Sequence, residues 1–168
     1  MKTRAATTTL TTLFATTLLA VALPAHAYDP KATIADLDAR LAKIGAPHVE
    51  GAEAVGGRNA PALLFGERKI NNNFDVVDAV RKTHNATATV FVKDGEEFVR
   101  VSTNVLTPEG KRGVGTQLAR NKAYEAVSKG QQFCGEIDVL GTQFDACYNP
   151  IKDVGGKIVG VSYIGHKK

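Results

Sequence analysis

The segment from Phe133 to Tyr148 restricts the fold of this 168-residue chain more than any other. If Leu140-Gly141 is a two-residue loop, antiparallel pairing sets Phe133 opposite Tyr148, Cys134 opposite Cys147, Gly135 opposite Ala146 and Ile137 opposite Phe144. Side chains alternate between the two faces of a strand. One face therefore collects Phe133, Ile137, Phe144 and Tyr148. The other receives the two cysteines, Glu136 with Asp145, and Asp138 with Gln143. A slip of one residue would scramble both faces, so a register that separates apolar from polar and also aligns the cysteines is strongly specified. Directly opposed strand positions have Cα atoms about 4.5–5.5 Å apart, within the span of a disulfide. The sequence thus predicts a Cys134–Cys147 bond. The turn works against this register, because a type I′ loop needs positive φ at both central residues and leucine takes it poorly. A bulge or a longer loop there would put the cysteines on opposite faces.

The apolar face of this hairpin has a gap. Gly135 and Ala146 bring almost no side-chain volume, yet they lie between Phe133/Tyr148 and Ile137/Phe144. Close packing requires an occupant: either a side chain from a helix, or a compact ligand beside the Tyr148 hydroxyl.

A second hairpin is read around Asp94-Gly95, a strong two-residue turn signal. Pairing about that loop sets Lys93 opposite Glu96, Phe91 opposite Phe98 and Thr89 opposite Arg100. Ala88, Val90, Val92, Val99, Val101 and Val105 then form a core face, and Phe91, Phe98, Arg100, Ser102 and Asn104 share the other. A cation beside two rings and two hydrogen-bonding side chains suits a carboxylate. The same face also reads as a solvent face whose arginine lies over a ring.

The rest of the chain supplies helices and further strands. Asp29-Pro30 caps a helix carrying Ile34, Leu37, Leu41 and Ile44 at helical spacing, ended by Gly45 and Pro47. Residues 46–60, rich in Gly, Ala, Pro and Asn, read as a loop, and Ala62–Phe65 as a short strand. Asn71-Asn72-Asn73 leads into a second helix with Phe74, Val77 and Val80 on one face. Val114–Leu118 reads as a strand, Asn121 as the cap of a short helix stopping at Gly130, and Lys157–Ile164 as the last strand. Helices followed by hairpins imply an α+β domain with helices packed on an antiparallel sheet.

The first 27 residues read as an export signal. Lys2 and Arg4 precede a Thr-, Leu- and Ala-rich stretch from Thr7 to Leu23, and Ala25-His26-Ala27 offers small residues at the cleavage positions. Cleavage after Ala27 leaves 141 residues, enough for one domain with a real core. It removes two of the 21 basic residues and none of the 17 acids, leaving a net charge of +2. The remaining Lys and Arg are scattered, which argues against a nucleic-acid partner. Two cysteines in an exported chain fit a structural bond. A redox role lacks its Cys-x-x-Cys helix motif. His48, His84 and His166 stand at no metal-ligand spacing. No haem motif, phosphate loop or nucleophile elbow occurs, so no enzyme, metal or cofactor is expected.

With these segments placed, the chain resembles the extracytoplasmic single-Cache sensor domains of bacterial chemoreceptors and sensor kinases. The resemblance runs from about Ala62 to Gly165. It rests on Asn71-Asn72-Asn73-Phe74, on Phe98-Val99-Arg100-Val101-Ser102-Thr103-Asn104-Val105, and on Gly110-Lys111-Arg112-Gly113-Val114-Gly115-Thr116. Ala123-Tyr124, Phe133-x-Gly135, Tyr148-x-Pro150-Ile151-x-Asp153 and Ile158-Val159-Gly160 follow in order. The resemblance implies a long N-terminal helix on a PAS-like antiparallel sheet, with a pocket for small molecules, often organic acids. Carried over by position, its ligand-binding candidates are Arg100, Ser102, Tyr124, Phe133 and Tyr148, with Ala146 shaping the floor. Two departures stand out: no second membrane span follows the last strand, and the cysteine pair is not a family feature.

The expected organisation is a signal at 1–27, a helix and loop at 28–60, and a Cache domain at 61–168 that forms one unit with 28–60. The expected function is a soluble periplasmic module that binds or senses a small carboxylate, with a membrane receptor or sensor kinase as partner. The alternative is an envelope interaction protein that keeps the fold without a ligand. An open space at Gly135/Ala146 favours the first and a filled one the second.

Overall fold

A computed structural model describes residues 28–168; the export signal read at residues 1–27 lies outside the described residues. Helix α1 (Pro30–Ala42) starts where the Asp29 carboxylate accepts from the amides of Lys31 and Ala32. Those amides would otherwise lack partners in the first helical turn. Strands β1 (Pro47–Val55), β2 (Arg58–Phe65) and β3 (Arg68–Lys69) form a small antiparallel sheet. Helix α2 (Asp75–His84) follows, ending at Asn85 in the left-handed region. Then come β4 (Thr87–Asp94), β5 (Glu97–Thr103), α3 (Lys122–Ser128), β6 (Phe133–Val139), β7 (Thr142–Lys152) and β8 (Ile158–Lys167). Among the described residues no helix is long and apolar enough to cross a membrane.

The five later strands form one antiparallel sheet in the order β5-β4-β8-β7-β6. The last strand therefore runs through the middle, joining the two hairpins through β4 and β7. Each face carries its own core. On one side α1, α2 and the small sheet cover Ala88, Val90, Val92, Val99, Val101 and Ile164. On the other, α3 and the segment after β5 cover Phe91, Phe98, Phe144, Ala146, Tyr148, Val161 and Tyr163. The architecture is the α+β class expected, with an N-terminal helix on a central antiparallel sheet and PAS-like strand order.

The β6–β7 hairpin has the register read from its sequence, from Phe133↔Tyr148 through Cys134↔Cys147 to Val139↔Thr142. The cysteines are bonded, with Cα atoms 4.1 Å apart. Leu140 takes the positive φ its position demands, +52°, ahead of Gly141 at +82°. The tight loop is made despite the wrong residue type.

The β4–β5 hairpin differs from expectation by two residues. Its loop is Gly95-Glu96, and Lys93 faces Phe98 while Phe91 faces Arg100. Gly95 sits first in the loop at φ +59°, as a type II′ turn prefers. A two-residue shift preserves the faces, so Phe91, Phe98 and Arg100 stay together. A bulge then changes them: Val90 faces Ser102, leaving Val101 as the extra residue. Beyond it Ser102 and Asn104 turn to the α2 side, where Ser102 donates to the Asn73 carbonyl at 2.5 Å and Asn104 to that of Val77 at 2.6 Å. Bulges re-aim side chains in this way.

Three further expectations are corrected. Residues 46–60 are mostly strand, because β1 and β2 fold into a hairpin around Gly56-Gly57. Val114–Leu118 is not a strand, although it lies along β5 and exchanges backbone bonds with it, including Arg100 N to Thr116 O at 2.8 Å. The Gly135/Ala146 gap is filled by neighbouring rings and not by a helix. Gly165 lies beside Ala146 on β8 and extends the row of small residues. A Cβ at Gly165 would lie 2.1 Å from the Tyr163 hydroxyl, and one at Gly135 3.3 Å from the Phe133 ring.

Gly160 shows how tightly the central strands approach. A Cβ there would stand 2.3 Å from the Phe91 carbonyl oxygen, a backbone atom that cannot swing aside. Gly160→Ala is expected to force β4 and β8 apart and lower stability by about 1–3 kcal/mol, the range of core overpacking. An unchanged urea midpoint for this variant would show that the strands separate without penalty.

Candidate functional site

Arg100 is the residue around which a site can form. It stands on β5 with 3% of its surface exposed, on the face opposite α1 and α2. Its guanidinium lies over the Phe91 ring, 4.9 Å from the centroid, and Nη1 donates to the Thr116 hydroxyl. That hydroxyl in turn donates to the Gly113 carbonyl at 2.7 Å. Nε is buried and has no hydrogen-bond partner. No carboxylate is among the groups acting on the guanidinium: burial, the largest effect, lowers its pKa, and the phenols of Tyr148 and Tyr163 act the other way. A buried cation with an idle donor and no counter-ion is expensive unless something supplies the anion.

Tyr148 completes the centre of the site. It is buried on β7 and lines the same cavity as Arg100. Burial drives its phenol well above the ordinary tyrosine range, against the neighbouring guanidinium. The hydroxyl is therefore a neutral donor at any physiological pH. Its ring packs at 4.8 Å from that of Tyr163 and 6.3 Å from that of Phe133. The cavity between Arg100 and Tyr148 is also lined by Leu118, Asn121, Asp138, Val139 and Leu140. The Asp138 carboxylate accepts from the Gly141 amide at 2.9 Å and forms no ion pair with Arg100. The cavity holds about 40 Å³. That is room for about one water, too little for an organic acid in this closed form. Leu140 closes it from the β6–β7 turn: its Cδ1 reaches within 2.9 Å of where a Gly113 Cβ would stand, beside Arg100 Nη1. Larger clefts lie away from this centre, one of about 540 Å³ beyond Val139, between Arg81, Val105, Phe144 and Lys167.

The six residues anticipated from sequence divide as follows. Arg100 and Tyr148 meet at the cavity, and Phe133 and Ala146 support it through the Tyr148 and Tyr163 rings. Ser102 does not join them, since the bulge after Arg100 turns it to the other face. Tyr124 stands at the far end of β5, where its hydroxyl donates to the Glu96 carbonyl at 2.6 Å and its ring meets Phe98 edge-on. Sequence reasoning missed Thr116, Leu140 and Tyr163. Leu140 carried one signal, a bulky side chain in a loop position that favours glycine. Among the described residues no three His, Cys, Asp or Glu side chains gather as a metal site would require.

Comparison with known proteins bears on this arrangement. No curated protein matches the chain. Among solved structures it is similar to the Escherichia coli DcuS sensor domain, at 20% identity and a TM-score of 0.40 over 55% of this chain. The chain spans 63% of the length of that sensor domain. The family model described as the Cache 3/Cache 2 fusion domain matches residues 38–168, which takes in every strand of both sheets, α2, α3 and the Arg100 cavity. By that match the chain belongs to the Cache family of extracytoplasmic, ligand-binding sensor domains.

Proposed function

We propose that this Cache domain senses a small organic anion, which pairs with Arg100 and accepts a hydrogen bond from Tyr148, and that it works in the periplasm after removal of residues 1–27. The observation that carries this reading is the buried guanidinium with a free Nε and no ion pair to a carboxylate among the described residues. A carboxylate would supply the missing charge and accept from Nε and the Tyr148 hydroxyl together. Entry requires the β6–β7 turn to lift Leu140 off Gly113. A receptor or sensor kinase in the membrane is the partner that such a module would address.

The test is a thermal-shift screen of mono-, di- and tricarboxylates. The protein is expected to be stabilised by a subset of them, and Tyr148→Phe to weaken that subset by roughly 10- to 150-fold, the value of one hydrogen bond to a charged group. A shift unchanged in Tyr148→Phe removes the hydroxyl from the site. Leu140→Gly relieves positive φ in a residue that resists it, worth about 1–2 kcal/mol, and gives up a half-buried side chain worth a similar amount. Its stability should stay within about 1 kcal/mol of the parent, while carboxylates bind several-fold more tightly because the closed form loses its plug. Equal affinities would show that Leu140 is not the gate.

A second reading has its own observation. The Gly135/Ala146 gap is filled by Phe133 and Tyr163, as in a domain that keeps the fold for docking on an envelope complex. A screen in which no anion shifts the parent protein supports that reading instead. Export is tested separately. N-terminal sequencing of periplasmic protein should begin at Tyr28, whose ring stacks on that of His166 at 4.6 Å. Recovery of Met1 on membrane-bound protein would contradict processing.

A further inference from the structure

On the face opposite Arg100, Asp38 of α1 presents the converse problem, a largely buried anion with no cation. Its Oδ1 accepts from the Ser162 hydroxyl at 2.5 Å and its Oδ2 from the Asn149 side-chain amide at 2.6 Å. Both donors are neutral. Burial raises the carboxyl above the ordinary aspartate range, those two hydrogen bonds oppose it, and no charged group contributes. A tie between helix and sheet needs the bonds but not the charge, because asparagine at this position, with the Asn149 amide turned over, would join α1 to β7 and β8 at less desolvation cost.

The carboxylate borders a groove of about 450 Å³ between the end of α1, the start of β1 and β7. Apart from Asp38 and Asn149 its walls are apolar or backbone: Leu41, Ala42, Phe65, Pro150 and Ile151 among them. No lysine, arginine or histidine lines it. Each Asp38 oxygen has accepted one bond and can accept another, and the Asn149 amide oxygen adds an acceptor beside them. A volume of this size with an apolar wall and convergent polar groups at one end suits a small ligand. Three donors on an ammonium group match three acceptors around one negative charge.

We propose that this groove is a second ligand site, for a primary ammonium ion carrying a short apolar body, with Asp38 as its counter-ion. It is independent of the Arg100 site, being on the other face of the sheet. The proposal is tested by titrating ¹⁵N-labelled protein with n-butylammonium and, separately, with n-butanol. Saturable shifts at the amides of Leu41, Phe65 and Ile151 are expected with the ammonium, at least tenfold tighter than any response to the alcohol. Asp38→Asn should weaken the ammonium at least tenfold and leave the alcohol unchanged. Ala42→Leu, which crowds the exposed wall of the groove and leaves the Asp38 bonds intact, should also abolish binding and decides the matter if Asp38→Asn does not fold. Arg100→Ala should bind n-butylammonium as the parent does, so failure of the carboxylate reading would leave this result standing. Absence of saturable shifts in the parent, equal affinity for the alcohol, or full binding by the folded Asp38→Asn protein would each overturn the proposal.

Discussion

Arg100→Met is expected to make the unliganded domain more stable and, in the same protein, to remove its response to carboxylates. The two effects share one cause. Arg100 is buried with an unpartnered Nε and no counter-ion, so the folded state carries a desolvation cost that its contact with Phe91 and its bond to Thr116 offset only in part. Methionine has a similar length and needs no partner. Replacing buried ionic groups with packed apolar ones has been neutral or stabilising by about 1–4 kcal/mol. Thr116 loses a donor but keeps its bond to the Gly113 carbonyl, which limits the loss. On the binding side, hydrogen bonds to a charged group are each worth about 1.5–3 kcal/mol. Affinity for a carboxylate should therefore fall by roughly 10- to 150-fold, at 1.4 kcal/mol per factor of ten. Urea titration and thermal-shift screening of the same two proteins check both halves. A variant less stable than its parent would mean that Arg100 is structural. Equal ligand shifts in the two would take Arg100 out of the site. Stability rising as function falls is the signature of a residue kept for a ligand.

The contrast between the two hairpins shows what the sequence made legible. Around Leu140-Gly141 three independent signals coincide: alternation of apolar residues, opposed cysteines and a glycine in the loop. Only one register satisfies them all, and it is the one formed. Around Asp94-Gly95 the valines alternate on both strands, so a two-residue shift leaves the pattern intact and the turn alone must decide. Asp-Gly favours a type I′ loop over those two residues, yet the chain turns at Gly95-Glu96. Arg100 keeps its face because the error has even length. Ser102 and Asn104 lose theirs because a bulge has odd length, and nothing in Arg100-Val101-Ser102 announces one. The gap at Gly135/Ala146 was visible as missing volume, but its occupant was not. Tyr163 reaches it from β8, and the central place of that strand follows from pairing two hairpins that local sequence does not connect. The Arg100–Tyr148 meeting spans β5 and β7, strands that do not pair with each other, so side-chain chemistry could nominate both residues without placing them together.

Loss of the Cys134–Cys147 bond should lower stability about as much as truncating a large buried side chain of the β6–β7 hairpin. The bond joins residues 13 apart in sequence, and the chain-entropy model gives about 3 kcal/mol for a loop of that size. For a domain between the 100- and 200-residue ranges that corresponds to roughly 10 °C in melting temperature. Two features make the hairpin dependent on it. β6 is the edge of the sheet and pairs with β7 alone, so no second partner holds it when the bond is gone. The turn beyond it keeps Leu140 at φ +52°, a conformation the free hairpin would leave. The cysteine sulfurs face the α1 side, in the same core as Leu37 and Ile164, so a Cys134→Ala/Cys147→Ala double variant also removes a little buried volume. Reduction of the parent protein separates that packing loss from the cross-link. Melting of the oxidised, reduced and doubly substituted forms should place the last two together, roughly 10 °C below the first. Coincident melting of all three would show that strand pairing alone fixes the hairpin. Titration of denatured, unreduced protein should find no free thiol. The reduced form should also gain carboxylates' access to Arg100, because the same edge strand carries Val139, a wall of the cavity, and leads into Leu140, which closes it.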